Sequence, residues 1–137
     1  MGRELRVKEE VDLSLIRFGY VSYNKLRDYI TGRRMYFNCR INTYEDLIIC
    51  IGVFYRGFLC GGVVLTKMEQ NEAMIQTWYS REDRGKIELL NYSVDIVKSL
   101  GFNCVYLPIQ KKYLSQLLKD KWKPTAKCLK MELKNDN

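Results

Sequence analysis

Asp46-Leu-Ile-Ile-Cys-Ile-Gly-Val-Phe-Tyr55, Arg56-Gly57 and Phe58-Leu-Cys-Gly-Gly-Val-Val-Leu-Thr66 follow one another without a break. Two apolar, β-branched runs separated by a two-residue turn signal are the mark of an antiparallel hairpin. After a polar break, Glu69-Gln-Asn-Glu72, a third run spans Ala73–Tyr79. The spacing therefore predicts three consecutive antiparallel strands, a meander with one face available for helices. The period then changes. Ser80-Arg-Glu-Asp83 has the spacing of a capping box. Ile87, Leu90, Val94 and Val97 form an apolar stripe, with Leu89, Ser93, Ile96 and Leu100 beside it. Gly101 supplies a stop, so a helix is expected near Arg84–Leu100.

Working outward, Asn103–Leu107 reads as a short apolar strand that Pro108 ends. An amphipathic helix follows, with Tyr113, Leu114, Leu117 and Leu118 on one face, and it stops before Pro124. Thr125–Leu133 alternates as a closing strand. Upstream, Ser22–Thr31 has helical spacing at Leu26, Tyr29 and Ile30, with Gly32 in the position of a C-cap glycine. Leu5–Val11 alternates weakly and is expected to be a first strand.

A chain of 137 residues suits one domain over residues 1–137, with the ends, 1–4 and 134–137, disordered. Hydrophobic and charged fractions of 47% and 28% are those of an ordinary globular protein. No apolar run reaches the length of a membrane span, and the N-terminus lacks the apolar stretch of a signal peptide or the Ser/Thr of a myristoylation site. The expectation is a soluble, cytoplasmic protein.

Five cysteines, none in a CxxC pair, and no histidine argue against a metal site and a disulfide framework. Cys50, Cys60 and Cys104 lie in strand-like runs, where a free thiol acts as a small hydrophobe. The net charge is +7, and eight lysines fall from Lys111 onward against Asp120, Glu132 and Asp136. Such a balance permits nucleic acid, an acidic protein or a polyanionic cofactor as partner; a solvated surface is the plainer reading of scattered lysines. Aromatic residues gather in the first half, among them Tyr20, Tyr23, Tyr29, Tyr36, Phe37, Tyr44, Phe54, Tyr55 and Phe58. Beside Arg33, Arg34 and Arg40 they could stack on bases, although core and strand surface are their commoner uses.

The order of elements resembles the GNAT superfamily of acyl-CoA-dependent N-acyltransferases over residues 20–133. Four strings carry the resemblance: Leu59-Cys-Gly-Gly-Val-Val-Leu65, Ser80-Arg-Glu-Asp-Arg-Gly-Lys86, Lys98-Ser-Leu-Gly-Phe-Asn-Cys-Val-Tyr106, and Leu117–Trp122 with Lys123-Pro124. What the resemblance implies is an α+β fold: a mixed sheet made of an antiparallel meander and then a splayed pair, with helices on both faces. The donor would be acetyl-CoA, with amides around Arg84, Gly85 and Lys86 holding its phosphates at a helix N-terminus. The Met74–Trp78 edge, opposite Cys104–Leu107, would clasp the pantetheine, which makes Trp78 a cofactor-side residue.

Three departures stand out against the family pattern. The motif Arg/Gln-x-x-Gly-x-Gly/Ala, laid on Arg84, meets Ile87 and Leu89 where small residues clear space for phosphate. Lys121-Trp122 stands for the family's Gly-Phe, and counting back from it puts Leu117 where relatives carry the tyrosine acid; Tyr113, one turn earlier, is the substitute. Gln110 replaces an asparagine that often begins this helix. Acyl transfer also needs a base for the acceptor ammonium, for which the candidates are Glu72, or Glu82 and Asp83. The last two are accounted for as first-turn carboxylates on a helix dipole.

Two functions stay open on these residues. One is N-acyl transfer from acetyl-CoA to an amine. The other is a non-catalytic protein of the same fold that binds a protein partner or DNA through its lysine-rich C-terminal part and an exposed Trp122. Small, basic, histidine-free chains with an eroded cofactor loop resemble the acetyltransferase-like proteins that bacteriophages encode, some carried in virions; host cytoplasm or virion would then be the location. A plain nucleic-acid-binding domain would rest on charge alone.

Overall fold

Side chains that alternate in and out of a pleated surface account for most of the architecture. The structure, a computed structural model, describes residues 12–33, 46–126 and 128–133, with backbone only at Leu13, Asp83 and Arg84. The expected strand over Leu5–Val11, the two chain ends, Cys39 and the cluster of Arg34, Tyr36, Phe37, Arg40 and Tyr44 lie outside the described residues.

The strands are β1 (Ile16–Tyr20), β2 (Leu47–Tyr55), β3 (Phe58–Met68), β4 (Glu72–Ser80), β5 (Cys104–Pro108), β6 (Lys123–Pro124) and β7 (Cys128–Glu132). Between them run α1 (Tyr23–Gly32), α2 (Asp83–Ser99) and α3 (Leu114–Lys119), the last entered through a 3-10 turn at Lys111–Tyr113. The sheet has seven strands in the order β1-β2-β3-β4-β5-β7-β6, antiparallel except for the β4–β5 pair. The predicted meander is β2–β3–β4. Tyr55 pairs with Phe58 across a two-residue turn in which Arg56 (φ 52°) and Gly57 (φ 86°) both adopt the positive φ of a type I′ turn.

The two faces carry different helices. On one, α1 buries Leu26 and Ile30 against Val21, Cys50 and Val64. Burying a side chain of this size contributes about 1.5–3 kcal/mol. On the other face, α2 and α3 bury Leu89, Leu90, Val97 and Leu117 against Val63, Leu65, Ile75, Val105, Leu107 and Leu129. The glycine pair on β3 has a packing reason. A Cβ on Gly62 would meet the Ile51 carbonyl oxygen and Leu26 Cδ1, each at 2.7 Å, and one on Gly61 would meet the Tyr79 oxygen at 2.3 Å.

Several sequence expectations are corrected. The edge strand Ile16–Tyr20, paired with Ile51–Tyr55, was not anticipated. Ser22 caps α1 as expected, accepting from the Lys25 amide at 3.2 Å. Gly32, however, belongs to the helix, and Arg33 caps it with φ −91°. Ser80 does not open α2: it is the last residue of β4, and Glu82 is the N-cap. The Ser80 hydroxyl bridges the corner instead, donating to the Glu82 carbonyl at 3.0 Å and accepting from its amide at 3.3 Å. Gly101 (φ 90°) ends α2 as predicted. Trp122, expected on the surface, is 2% exposed and part of the core.

Candidate functional site

β4 carries one residue more than β3 requires. Leu65 pairs with Ile75 and Val64 with Thr77, which leaves Gln76 as a bulge. A bulge bends its strand and increases the local twist. Its position matters here, because the parallel pairing of β4 with β5 ends just before it, at Met74–Tyr106. Beyond that point the strands diverge and open a slot of about 240 Å³, lined by Ile30, Ile75–Tyr79, Lys86, Leu107, Pro108 and Gln110. Because it is bounded by Ile30 and Tyr79 of the α1 face and by Trp78 and Lys86 of the α2 face, the slot passes through the plane of the sheet.

Trp78 lines the slot and packs on Tyr113, with ring centroids 5.3 Å apart. The buried Trp78 indole donates to the Lys86 carbonyl at 2.8 Å, tying β4 to the first turn of α2. The Lys86 ammonium stands 4.8 Å from the Trp78 centroid and 5.0 Å from that of Tyr113. It also donates to Gln110 Oε1 at 3.0 Å. Ring faces attract a cation electrostatically, most strongly where water is displaced. A second ammonium, that of Lys112, lies 5.6 Å from the Tyr113 centroid. On the opposite wall Tyr79 packs on Tyr29 at 6.4 Å and accepts from Arg33 Nε at 3.2 Å. That hydrogen bond, with the nearby Tyr29, raises the Arg33 pKa.

The turn from β4 into α2 was expected to hold phosphate. Three of its amides have partners within the protein. Arg81 N–H donates to the Cys60 carbonyl at 2.8 Å, Glu82 N–H to Ser80 Oγ, and Gly85 N–H to the Glu82 carbonyl at 3.1 Å. Gly85 is buried, and a Cβ there would meet Ile16 Cδ1 at 3.3 Å, so its smallness serves the packing of α2 against β1. Leu89 is fully buried in the core and Ile87 packs against it. With Leu89 and Ile87 packed in the core and Gly85 packed on Ile16, the turn lacks the small-residue cradle in which a diphosphate would sit.

Of the other predicted residues, Trp78, Lys86 and Tyr113 are brought together. The Arg84 side chain lies outside the described residues. Glu72 stands at the paired end of β4, where its Oε2 accepts from Cys104 Sγ at 3.4 Å and from Tyr106 OH at 3.3 Å. Six residues of strand, about 20 Å at some 3.3 Å per residue, separate it from Trp78. Burial, with the hydrogen bond to Glu72, pushes the Cys104 thiol pKa up. Leu117 is a core residue, and Lys121, in the glycine position of the family's Gly-Phe, has φ 74°, a left-handed conformation that favours glycine. Sequence reasoning missed Gln76, for which no local signal exists, and undervalued Gln110, whose place after a strand-ending proline pointed to the slot mouth. Among the described residues no group of acidic, cysteine or histidine side chains could hold a metal, and no helix is long and apolar enough to cross a membrane.

No protein-family profile matches the chain, and no curated protein is detectably similar in sequence. Solved structures are similar in fold. The ribosomal-protein-S18-alanine N-acetyltransferase of Escherichia coli superposes with a TM-score of 0.68 at 9% identity, over 89% of this chain and 96% of that one. A GNAT family acetyltransferase from Brucella melitensis in complex with acetyl-CoA gives 0.64 at 11% identity, over 89% and 90%. A Bacillus subtilis acetyltransferase in complex with CoA gives 0.62 at 17%, over 87% and 98%. The mostly antiparallel mixed sheet with one parallel pair is thus the GNAT acetyltransferase fold.

Proposed function

We propose that the chain is a GNAT-like N-acyltransferase that takes an acyl group from a thioester donor such as acetyl-CoA and passes it to an amine. The observation that carries this reading is the slot that opens where the Gln76 bulge parts β4 from β5. Structures of this fold solved with acetyl-CoA or CoA support the choice of donor. The donor supplies an activated acyl thioester. The chain's own residues supply the rest. The β4 edge facing the slot is not paired to β5, so it can run alongside an extended arm bearing amides. Trp78 and Tyr113 shield that arm from water.

Tyr113, which packs on the slot-lining Trp78, bears a hydroxyl and is assigned the return of a proton to the departing thiolate. Among the described residues no carboxylate lines the slot, and Glu72 lies at the far end of β4. The acceptor amine is therefore expected to lose its proton to water, and the rate to rise with pH until the amine's own pKa is passed. The test is thiol release from acetyl-CoA across a panel of primary amines. Tyr113→Phe should lower kcat by roughly 10²-fold. Absence of thiol release with every amine would defeat the reading.

A second reading, a non-catalytic protein of this fold such as phages carry as accessory or virion components, is favoured by Ile87 and Leu89, which pack in the core where a phosphate cradle would need small residues. It predicts co-purifying protein or salt-sensitive DNA binding in place of turnover.

A further inference from the structure

Resting on the donor reading above, we propose that the acceptor is an amine carrying its own anionic group, a carboxylate or phosphate, and that Arg33 recognises that group where the slot opens on the α1 face.

The slot has two ends. Trp78 and Lys86 bound it on the α2 face, and Ile30 and Tyr79 bound it on the α1 face. A donor entering from the α2 side leaves the α1 side for the amine. Arg33 is bonded to both residues of that second end. Its backbone N–H donates to the Ile30 carbonyl at 3.2 Å, and its Nε donates to the Tyr79 hydroxyl at 3.2 Å. The guanidinium also lies 5.8 Å from the centroid of Tyr29, which itself packs on Tyr79 at 6.4 Å. One edge of the guanidinium is thus held against two rings, and a group already held loses less freedom when it binds.

The charge at this end is positive. The partners of Arg33 are neutral phenols, and among the described residues no carboxylate pairs with it. Asp28, on the same helix, is paired with Arg27 at 3.2 Å. Arg81 also acts on Tyr29, but Glu82 stands with it beside Cys60, so the net charge of this end rests on Arg33. A guanidinium whose Nε is taken keeps its terminal amino groups, whose parallel N–H bonds match the oxygens of a carboxylate or phosphate. An amine bearing only positive charge would meet like charge there.

The experiment is isothermal titration of the intact chain, with and without millimolar CoA at one fixed salt concentration. The probes are matched amines: ε-aminocaproate against hexylamine, and phosphoethanolamine against ethanolamine. The anionic member of at least one pair should bind about tenfold tighter, as a charge-assisted contact does. Which pair shows the preference separates a carboxylate from a phosphate as the group recognised. Arg33→Gln, at an exposed position, should remove the preference, whereas Lys119→Gln, which takes the same charge from an exposed site on α3, should leave it. A preference under about fivefold in both pairs, or one that Arg33→Gln leaves intact, would overturn the proposal. Thiol release from acetyl-CoA, followed in parallel, keeps the two readings apart. Anion-selective binding without release upholds the Arg33 site and sinks the donor reading. Release that favours hexylamine and ethanolamine over their anionic counterparts upholds the donor reading and sinks this proposal.

Discussion

β4 and the turn that leaves it make an instructive contrast. Along β4 the opening depends on backbone register: the pairing with β5 ends at Met74, just before the residue, Gln76, that β4 carries in excess of β3. In the turn, an opening would depend on small side chains, and their places are taken up by packing. Leu89 is a core residue, Gly85 makes room for Ile16, and the amides of Arg81, Glu82 and Gly85 bond within the protein. A slot made by register survives wide change in side chains, whereas a cradle made by glycines is lost when two residues grow.

The strongest way to test that contrast is Leu89→Ala. If position 89 is core and not cradle, truncation should cost about 2–5 kcal/mol in urea denaturation, and donor affinity of the folded fraction should not improve. A gain in affinity with little loss of stability would reverse the assignment. Next in size is Gly61→Ala, whose Cβ would overlap the Tyr79 carbonyl oxygen at 2.3 Å. Backbone has little room to move, so a loss of about 1–3 kcal/mol or more is expected.

Gly85→Ala should be milder. Its Cβ would meet only the tip of Ile16 at 3.3 Å, and alanine's better helix propensity offsets part of the crowding, so the net change should stay within about 1 kcal/mol. Unchanged donor binding in this variant would confirm that Gly85 serves α2 packing; a loss of binding at constant stability would return it to the cradle.

The smallest effect concerns pH. Burial holds the Cys60 and Cys104 thiols above their ordinary pKa of 9.0. A pKa raised on folding means stability that is fully present below the unfolded thiol's pKa and lost as pH climbs through the folded value. The denaturation midpoint should therefore fall from about pH 8 upward, and Cys60→Ala with Cys104→Ala should flatten that decline.

The meander, α2 and β5 were legible because each is local: alternation, an apolar stripe and a glycine stop are visible within a short window. Ile16–Tyr20 was not: Ile16, Phe18 and Tyr20 alternate with Arg17 and Gly19, but the run is short and its justification is pairing with residues some 35 positions away. Ser80 was misread because spacing cannot say which residue leaves a strand; the hydroxyl that matched a cap turned out to close the corner. Trp122, flanked by Lys121 and Lys123, looked exposed, yet a left-handed Lys121 turns it inward. At the site, Trp78, Lys86 and Tyr113 could be named from the fold resemblance, while the Gln76 bulge and the occupied amides are tertiary facts with no signature in the chain.

The claim on which the account stands is that the slot between β4 and β5 binds a thioester donor. Its most direct test is the melting temperature of the intact chain with and without millimolar acetyl-CoA at fixed salt. A ligand at about 100 times its Kd adds roughly 2.7 kcal/mol, so the account predicts a rise of several degrees. A melting temperature that does not move at saturating acetyl-CoA would contradict it.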